Sequence, residues 1–225
     1  MNEPEKPKKG WGWLQWGVVI MVLFMIGAFA VPLYNWFLLS AYQGRQARQG
    51  REIILCLKVF AQDWKSRYPD SFQDDSTSAN KVFRRLIHEE ILADDTVFGG
   101  QISPYWADGK IGTAPAYDQA VEPGENHWMM LGGQSLHHAP EHPLIYENAL
   151  DATWPPYWKP QSAGRMVRGR TWNGGRILIG LNDGSVVTAK TRDPQDTFRL
   201  PASMQVDRNG RLWTDIEVLD IEEKK

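Results

Sequence analysis

The sequence predicts an α+β protein: a long N-terminal helix that crosses a membrane and continues as a spine, then a domain with a second helix and an antiparallel sheet. Three observations carry this. No charged residue occurs from Gly10 to Gly44. An amphipathic pattern without Pro or Gly runs from Arg51 to Tyr68. Late in the chain, two apolar, β-branched runs are joined by Asn182-Asp183-Gly184.

The 225 residues suit one domain, or one domain plus an appendage. A mean hydropathy of −0.44 is that of a soluble protein, but the average hides the charge-free window. The net charge is −2, which gives no global electrostatic case for nucleic acid, and none is expected as a partner. The single Cys56 excludes an intrachain disulfide framework and any zinc site built from Cys pairs.

Gly17 to Leu39 is apolar except for Asn35 and is long enough to span about 30 Å of hydrocarbon. Trp16 and Trp36 bracket it at a helical separation of ~30 Å, where interfacial tryptophans belong. The run exceeds the h-region of a secretory signal, and Ala41-Tyr42-Gln43-Gly44 makes a poor cleavage site, so a retained anchor is expected. Lys6, Lys8 and Lys9 before the span nearly balance Arg45, Arg48, Arg51 and Lys58 after it, so charge does not set the orientation.

Ile53, Leu57, Phe60 and Trp64 recur on one helical face, and Tyr68-Pro69-Asp70 ends the pattern. One helix from Leu14 to Arg67 is expected, bent at Pro32 and weak at Gly44 and Gly50. Ser78 is placed to cap a second helix over Ala79–Leu92, with Val82, Phe83, Leu86, Ile87 and Ile91 on its apolar face. Trp128–Leu131 and Leu144–Tyr146 are short apolar runs that read as strands. Arg176–Leu181 and Ser185–Lys190 form a hairpin, since Asp-Gly favours a tight turn. A second hairpin is expected from Met204–Val206 through Asp207-Arg208-Asn209-Gly210 into Arg211–Val218.

The N-terminus, Lys8-Lys9-Gly10-Trp11-Gly12-Trp13-Leu14-Gln15, resembles the prepilin signal of type IV pilins and type II secretion pseudopilins. On that resemblance Gly10 precedes the cleavage point and Trp11 takes the aromatic first place. Gln15 stands where the family has Glu, keeping a hydrogen-bonding tip without the charge. Pro32, twenty-one residues after Trp11, has the offset of the family's helix-bending proline. Cys56–Asp63 and Arg67-Tyr68-Pro69-Asp70-Ser71 look like the end of the spine in G-type pseudopilin-like proteins. Ala79–Leu86, Glu125-Asn126-His127-Trp128, Pro143–Glu147 and Asn182–Val186 are similar to stretches of the large pseudopilin-like proteins of planctomycete and verrucomicrobial type.

The resemblance implies a cytoplasmic N-terminus over residues 1–15, a transmembrane helix over 16–39, a spine over 40–67 and a periplasmic pilin-like α+β domain over 68–225. It implies a single-pass protein of the bacterial inner membrane that works by helix packing with other pilin-like subunits or secretion components.

Four of the five histidines, His127, His137, His138 and His142, lie close together near Glu125 and Glu141. They read either as a metal site of a hydrolase or, better, as a polar loop beside one structural His127. His88-Glu89-Glu90-Ile91-Leu92 lacks the second His of a zincin. Cys56 lies between apolar neighbours and reads as a packed or interfacial thiol, not a nucleophile. No G-x-S-x-G, P-loop or dinucleotide fingerprint occurs, so no catalytic residue, metal or cofactor is expected, and the chain is not expected to be an enzyme. Trp106, Trp128, Trp154, Tyr157, Trp158 and Trp172 read either as core or as a contact surface. Trp154, Tyr157 and Trp158 are the first candidates for an exposed patch, which makes a membrane-tethered carbohydrate- or ligand-binding module the alternative function.

Overall fold

The computed structural model describes residues 12–72, 77–159, 162–191, 198–206, 209–213 and 216–224. It is α+β, with a long apolar N-terminal helix, a second helix and a five-stranded antiparallel sheet. The chain divides into two compact units, Met1–Ala41 and Tyr42–Lys225.

Helix α1 runs Trp13–Asp63, so it starts one residue before the expected span and stops four before its expected end. Within the first unit it is apolar on every side, and Ile20, Leu23, Phe24, Ile26, Phe29 and Leu33 are all exposed. Such a surface cannot be the core stripe of a soluble helix. Among the described residues α1 is the one helix long and apolar enough to cross a membrane. It continues through Pro32, which has no N–H to donate to the carbonyl one turn back.

In the second unit α1 turns one face inward. Ile53, Ile54, Leu57, Phe60 and Ala61 are fully buried, whereas Leu55 is 53 % exposed. Trp64 lies at the rim, stacked on Phe60 at 5.4 Å. The helix breaks early because Lys65 and Ser66 take left-handed backbone conformations, φ 54° and 66°. Gly44 and Gly50 do not interrupt it.

Helix α2, Ala79–His88, is capped by Ser78, whose hydroxyl accepts from Lys81 N at 3.2 Å. It buries Val82, Phe83, Leu86 and Ile87. It stops short of the expected Leu92 because Glu90 turns left-handed, φ 56°, and the Leu86 carbonyl accepts from both Ile91 N and Leu92 N.

The strands are β1 Trp128–Leu131, β2 Pro143–Glu147, β3 Tyr157–Trp158, β4 Arg176–Leu181, β5 Val186–Lys190, β6 Phe198–Arg199 and β7 Val218–Leu219. The main sheet has the order β5-β4-β2-β1-β7, and β3 pairs with β6 separately. Its central strands are covered on both faces. Trp128, Met130, Ile145 and Leu178 join the core under the helices, while Met129, Leu131, Tyr146, Ile177 and Ile179 join a second core with Trp158 and Leu200. That is why these strands read as continuous apolar runs and not as alternation.

The β4–β5 hairpin forms as expected, with Ile179 opposite Val187. At its tip Gly184 has φ +99° and Asp183 Oδ1 accepts from Ser185 N at 2.7 Å. Lys58 Nζ donates to the carbonyls of Asn182 and Asp183, so the turn is tied to α1.

Of the second expected hairpin, the described residues show one antiparallel bridge and no strands. Ala202–Met204 is a single 3-10 turn, and the two segments meet at the bridge of Val206 with Leu212, where Trp213 N donates to Gln205 O at 3.0 Å. Asp207 and Arg208 lie outside the described residues. Val218–Leu219 instead completes the edge of β1, where Leu219 is buried in the core.

Candidate functional site

Gly10 and Trp11 lie outside the described residues. Gln15 is the third residue of α1, and its Oε1 accepts from Gly12 N at 3.0 Å while its own N–H donates to Gly12 O at 2.9 Å. The side chain thus satisfies a backbone donor at the helix start, the work of the acidic member of a capping box. Pro32 sits inside α1.

Trp154, Tyr157 and Trp158 do not form an exposed patch. Trp158 is 1 % exposed, its Nε1 donates to Glu147 O at 3.2 Å, and its ring meets Tyr146 edge-on at 5.8 Å. Trp154 stacks on Trp213 at 5.9 Å and the Arg199 guanidinium covers Tyr157 at 5.7 Å. Trp158 belongs to the second core, with Trp154 packed against it, and Tyr157 is half-buried. Among the described tryptophans of the second unit, Trp106 is the most exposed, at 72 %.

The histidines are not brought together as a set. His127 is fully buried, His138 Nδ1 pairs with Ser135, and the His142 ring lies 3.8 Å from that of Trp213. His127 instead belongs to a closed polar cluster. Its Nδ1 is 2.7 Å from Asn148 Nδ2 and 2.8 Å from Ser103 Oγ, and its Nε2 is 3.2 Å from Glu147 Oε1. Asn148 Oδ1 accepts from Gly169 N, which fixes that amide's orientation. Nδ1 is therefore the acceptor, and the ring proton sits on Nε2, donating to Glu147.

Glu147 also accepts from Trp172 Nε1 at 2.9 Å and Leu178 N at 2.9 Å, and the Arg170 guanidinium stands 3.7 Å away. Burial alone would raise the Glu147 carboxyl, but His127, Arg170 and the Leu178 N–H outweigh it and hold it low. Burial pushes the His127 imidazole down, so it is neutral. Burial also lowers Arg170, whose charge rests on Glu147 and on the Trp172 ring at 4.2 Å. Among the described residues its three guanidinium nitrogens have no hydrogen-bond partner.

Serine, histidine and glutamate in contact look like a hydrolytic triad. Yet Ser103, His127 and Glu147 are all buried, and Ser103 Oγ accepts from Tyr105 N. None of the three lines the clefts beside Arg45, Trp106 or Lys110. The cluster links the strands: His127, next to β1, and Leu178 N of β4 both bond the Glu147 carboxylate of β2. Cys56 is similarly quiet: burial, then Glu52, push its thiol up to about 11.

A different trio could hold a hard cation. Carboxylate oxygens of Asp95, Asp108 and Glu125 come within 4.8 Å of one another. Asp95 accepts from Gly109 N and Val121 N, Glu125 from Glu122 N at 2.7 Å, and Asp108 from Lys110 Nζ at 2.6 Å. Burial and the neighbouring carboxylates push Glu125 up to about 7, while Lys110 holds Asp108 low. The trio spans thirty residues of loop without a regular spacing, and nothing in the sequence pattern singles it out.

A cleft of about 400 Å³ is lined by Arg45, Arg48, Glu52, Asp94, Thr96 and Val97 among others. Another, of about 450 Å³, lies beside Trp106. Comparison with protein families, with characterised proteins and with solved structures found no match.

Proposed function

We propose that the chain is a membrane-anchored, pilin-like structural subunit, working by helix packing and protein contact and not by catalysis. The observation that supports this most is α1. It is one helix over Trp13–Asp63 that is apolar all round in its first half and one-sided in its second, where an α+β domain covers one face. A simple anchor needs only the first half. An extended spine suits lateral packing against like helices, the architecture of pilin-like subunits. The enclosed state of Ser103, His127 and Glu147 agrees with a contact role.

In this reading the anchor lies in the inner membrane of a bacterium, the α+β domain is periplasmic, and the partners are other pilin-like subunits. Gln15 in place of an acidic residue lets the helix start satisfy itself without a buried charge in the bundle. Mass spectrometry of the membrane-extracted protein, with in-membrane crosslinking from Leu55, tests the proposal. A mature N-terminus at Trp11 and crosslinks to a pilin-like helix are expected. An intact Met1 with no such partner would sink it.

A further inference from the structure

We propose that the cleft at Trp106 binds a saccharide, one pyranose ring stacking on the indole while its hydroxyls engage Glu223 and Lys224. The cleft is lined by Pro104, Tyr105, Trp106, Gly124, Glu223 and Lys224, and its volume of about 450 Å³ suits a ligand of one to three rings. Among the described tryptophans of the second unit, Trp106 alone is largely exposed; the others are buried, half-buried or, for Trp64, at the rim. An indole left this open to water, where the unit's other described tryptophans are more covered, is a surface awaiting an apolar face.

The cleft is also rigid. Trp106 N donates to Gly124 O at 3.1 Å, Gly124 N to Glu222 O at 2.7 Å, and Gly100 N to Tyr105 O at 3.0 Å. Gly124 has φ +88°, and a Cβ there would stand 2.9 Å from Lys224 Cγ, so glycine lets the lysine stem lie across the cleft wall.

Glu223 supplies the directional element. Its Oε1 accepts from Tyr105 OH at 2.6 Å and from Arg168 Nη1 at 2.9 Å. Those two donors hold the carboxylate ionised and fix its plane. Among the described residues Oε2 accepts from none, and so it is a preoriented acceptor beside the indole. Lys224 Nζ offers donors to ring and hydroxyl oxygens.

The chemistry of the lining selects the ligand. A sugar presents a C–H face to the indole and hydroxyls to both charged groups at once. An apolar peptide side chain would bury the Glu223 carboxylate and the Lys224 ammonium without satisfying them. A phosphate would meet the carboxylate's charge. Nothing in this proposal depends on how α1 packs, so it stands or falls apart from the structural role proposed above.

The test uses the full chain in an amine-oxide detergent, because glucoside and maltoside detergents would compete. Cellotriose, maltotriose and triacetylchitotriose are titrated by calorimetry and by saturation-transfer NMR. At least one is expected to bind. Trp106→Ala should weaken that binding about tenfold or more, Trp106→Phe should retain part of it, and Glu223→Gln should weaken it several-fold. Equal thermal melts keep these losses distinct from unfolding. Failure of all three sugars to bind, or binding that survives Trp106→Ala, overturns the proposal.

Discussion

The indole of Trp128 lies so close to Gly50 that a Cβ built on residue 50 would stand 2.7 Å from its Cη2. Gly180 in β4 is placed likewise, with Ile54 Cδ1 at 2.4 Å from such a Cβ. Helix and sheet thus meet through two glycines that let backbone approach side chain. The Gly50→Ala variant should lose about 1–3 kcal/mol from overpacking, more than the ~1 kcal/mol that alanine adds to a helix. Gly44, with nothing within 4 Å of its Cβ position, should show only the gain. Near-UV circular dichroism melts in detergent decide this, and a Gly50→Ala protein as stable as the parent would contradict it.

Glu147 is the anion on which His127, Trp172, Leu178 N and Arg170 converge. Replacing it by Gln leaves the Arg170 charge buried without a counter-charge. A loss of about 3–5 kcal/mol is expected, read as a lower urea midpoint with an unchanged slope. A midpoint within experimental scatter of the parent would mean that Arg170 finds another anion.

Glu125 gives a pH-dependent contribution of defined sign. Its carboxyl rises from 4.5 to about 7 on folding. Stability from this group is full below about 4.5 and is lost as pH rises through about 7. The lowered His127 acts oppositely, losing stability as pH falls below 6.5. The two partly cancel in the parent curve, so the difference between variants is the useful readout. Glu125→Gln keeps an acceptor for Glu122 N without the charge. Its melting temperature should exceed the parent's at pH 8, and the gap should close towards pH 5. A gap independent of pH would refute the assignment.

Trp158 and Trp106 should separate cleanly. Trp158→Ala removes a buried ring and its bond to Glu147 O, with an expected loss of about 3–5 kcal/mol. Trp106→Ala, at an exposed ring, should change stability by no more than ~0.5 kcal/mol. Chemical denaturation of both variants checks this, and equal losses would contradict the burial difference.

Features set by neighbouring residues were legible in the sequence. The apolar half of α1, the Ser78 cap and the Asn182-Asp183-Gly184 turn each depend on a few adjacent positions. Features set by distant partners were not. Trp158 sits in a Pro-rich loop that reads as exposed, and only the Glu147 carbonyl and Tyr146 ring make it core. The reach of α2 to Leu92 looked right by periodicity, but a left-handed Glu90 ended it. The pairing of Val218–Leu219 with β1 competed with a nearer, plausible turn and won because Leu219 and Ile221 are buried there. Asp95, Asp108 and Glu125 meet only through loop packing, which no spacing rule anticipates.

The strand that finishes the sheet, β7, is also a clasp on three other parts of the unit. Asp220 O accepts from Ala79 N at the start of α2, Glu222 N donates to Asn80 Oδ1, Glu222 O accepts from Gly124 N, and Glu223 receives Tyr105 OH. Synthesis runs from the N-terminus, so this domain lacks the clasp until residues 218–223 have been made. Until then the β1 edge stays unpaired and α2 lacks one of its N-terminal bonds. Folding of the unit is therefore timed by the arrival of its last strand, and the interval before it is when the domain is most open to proteolysis or to pairing with another chain.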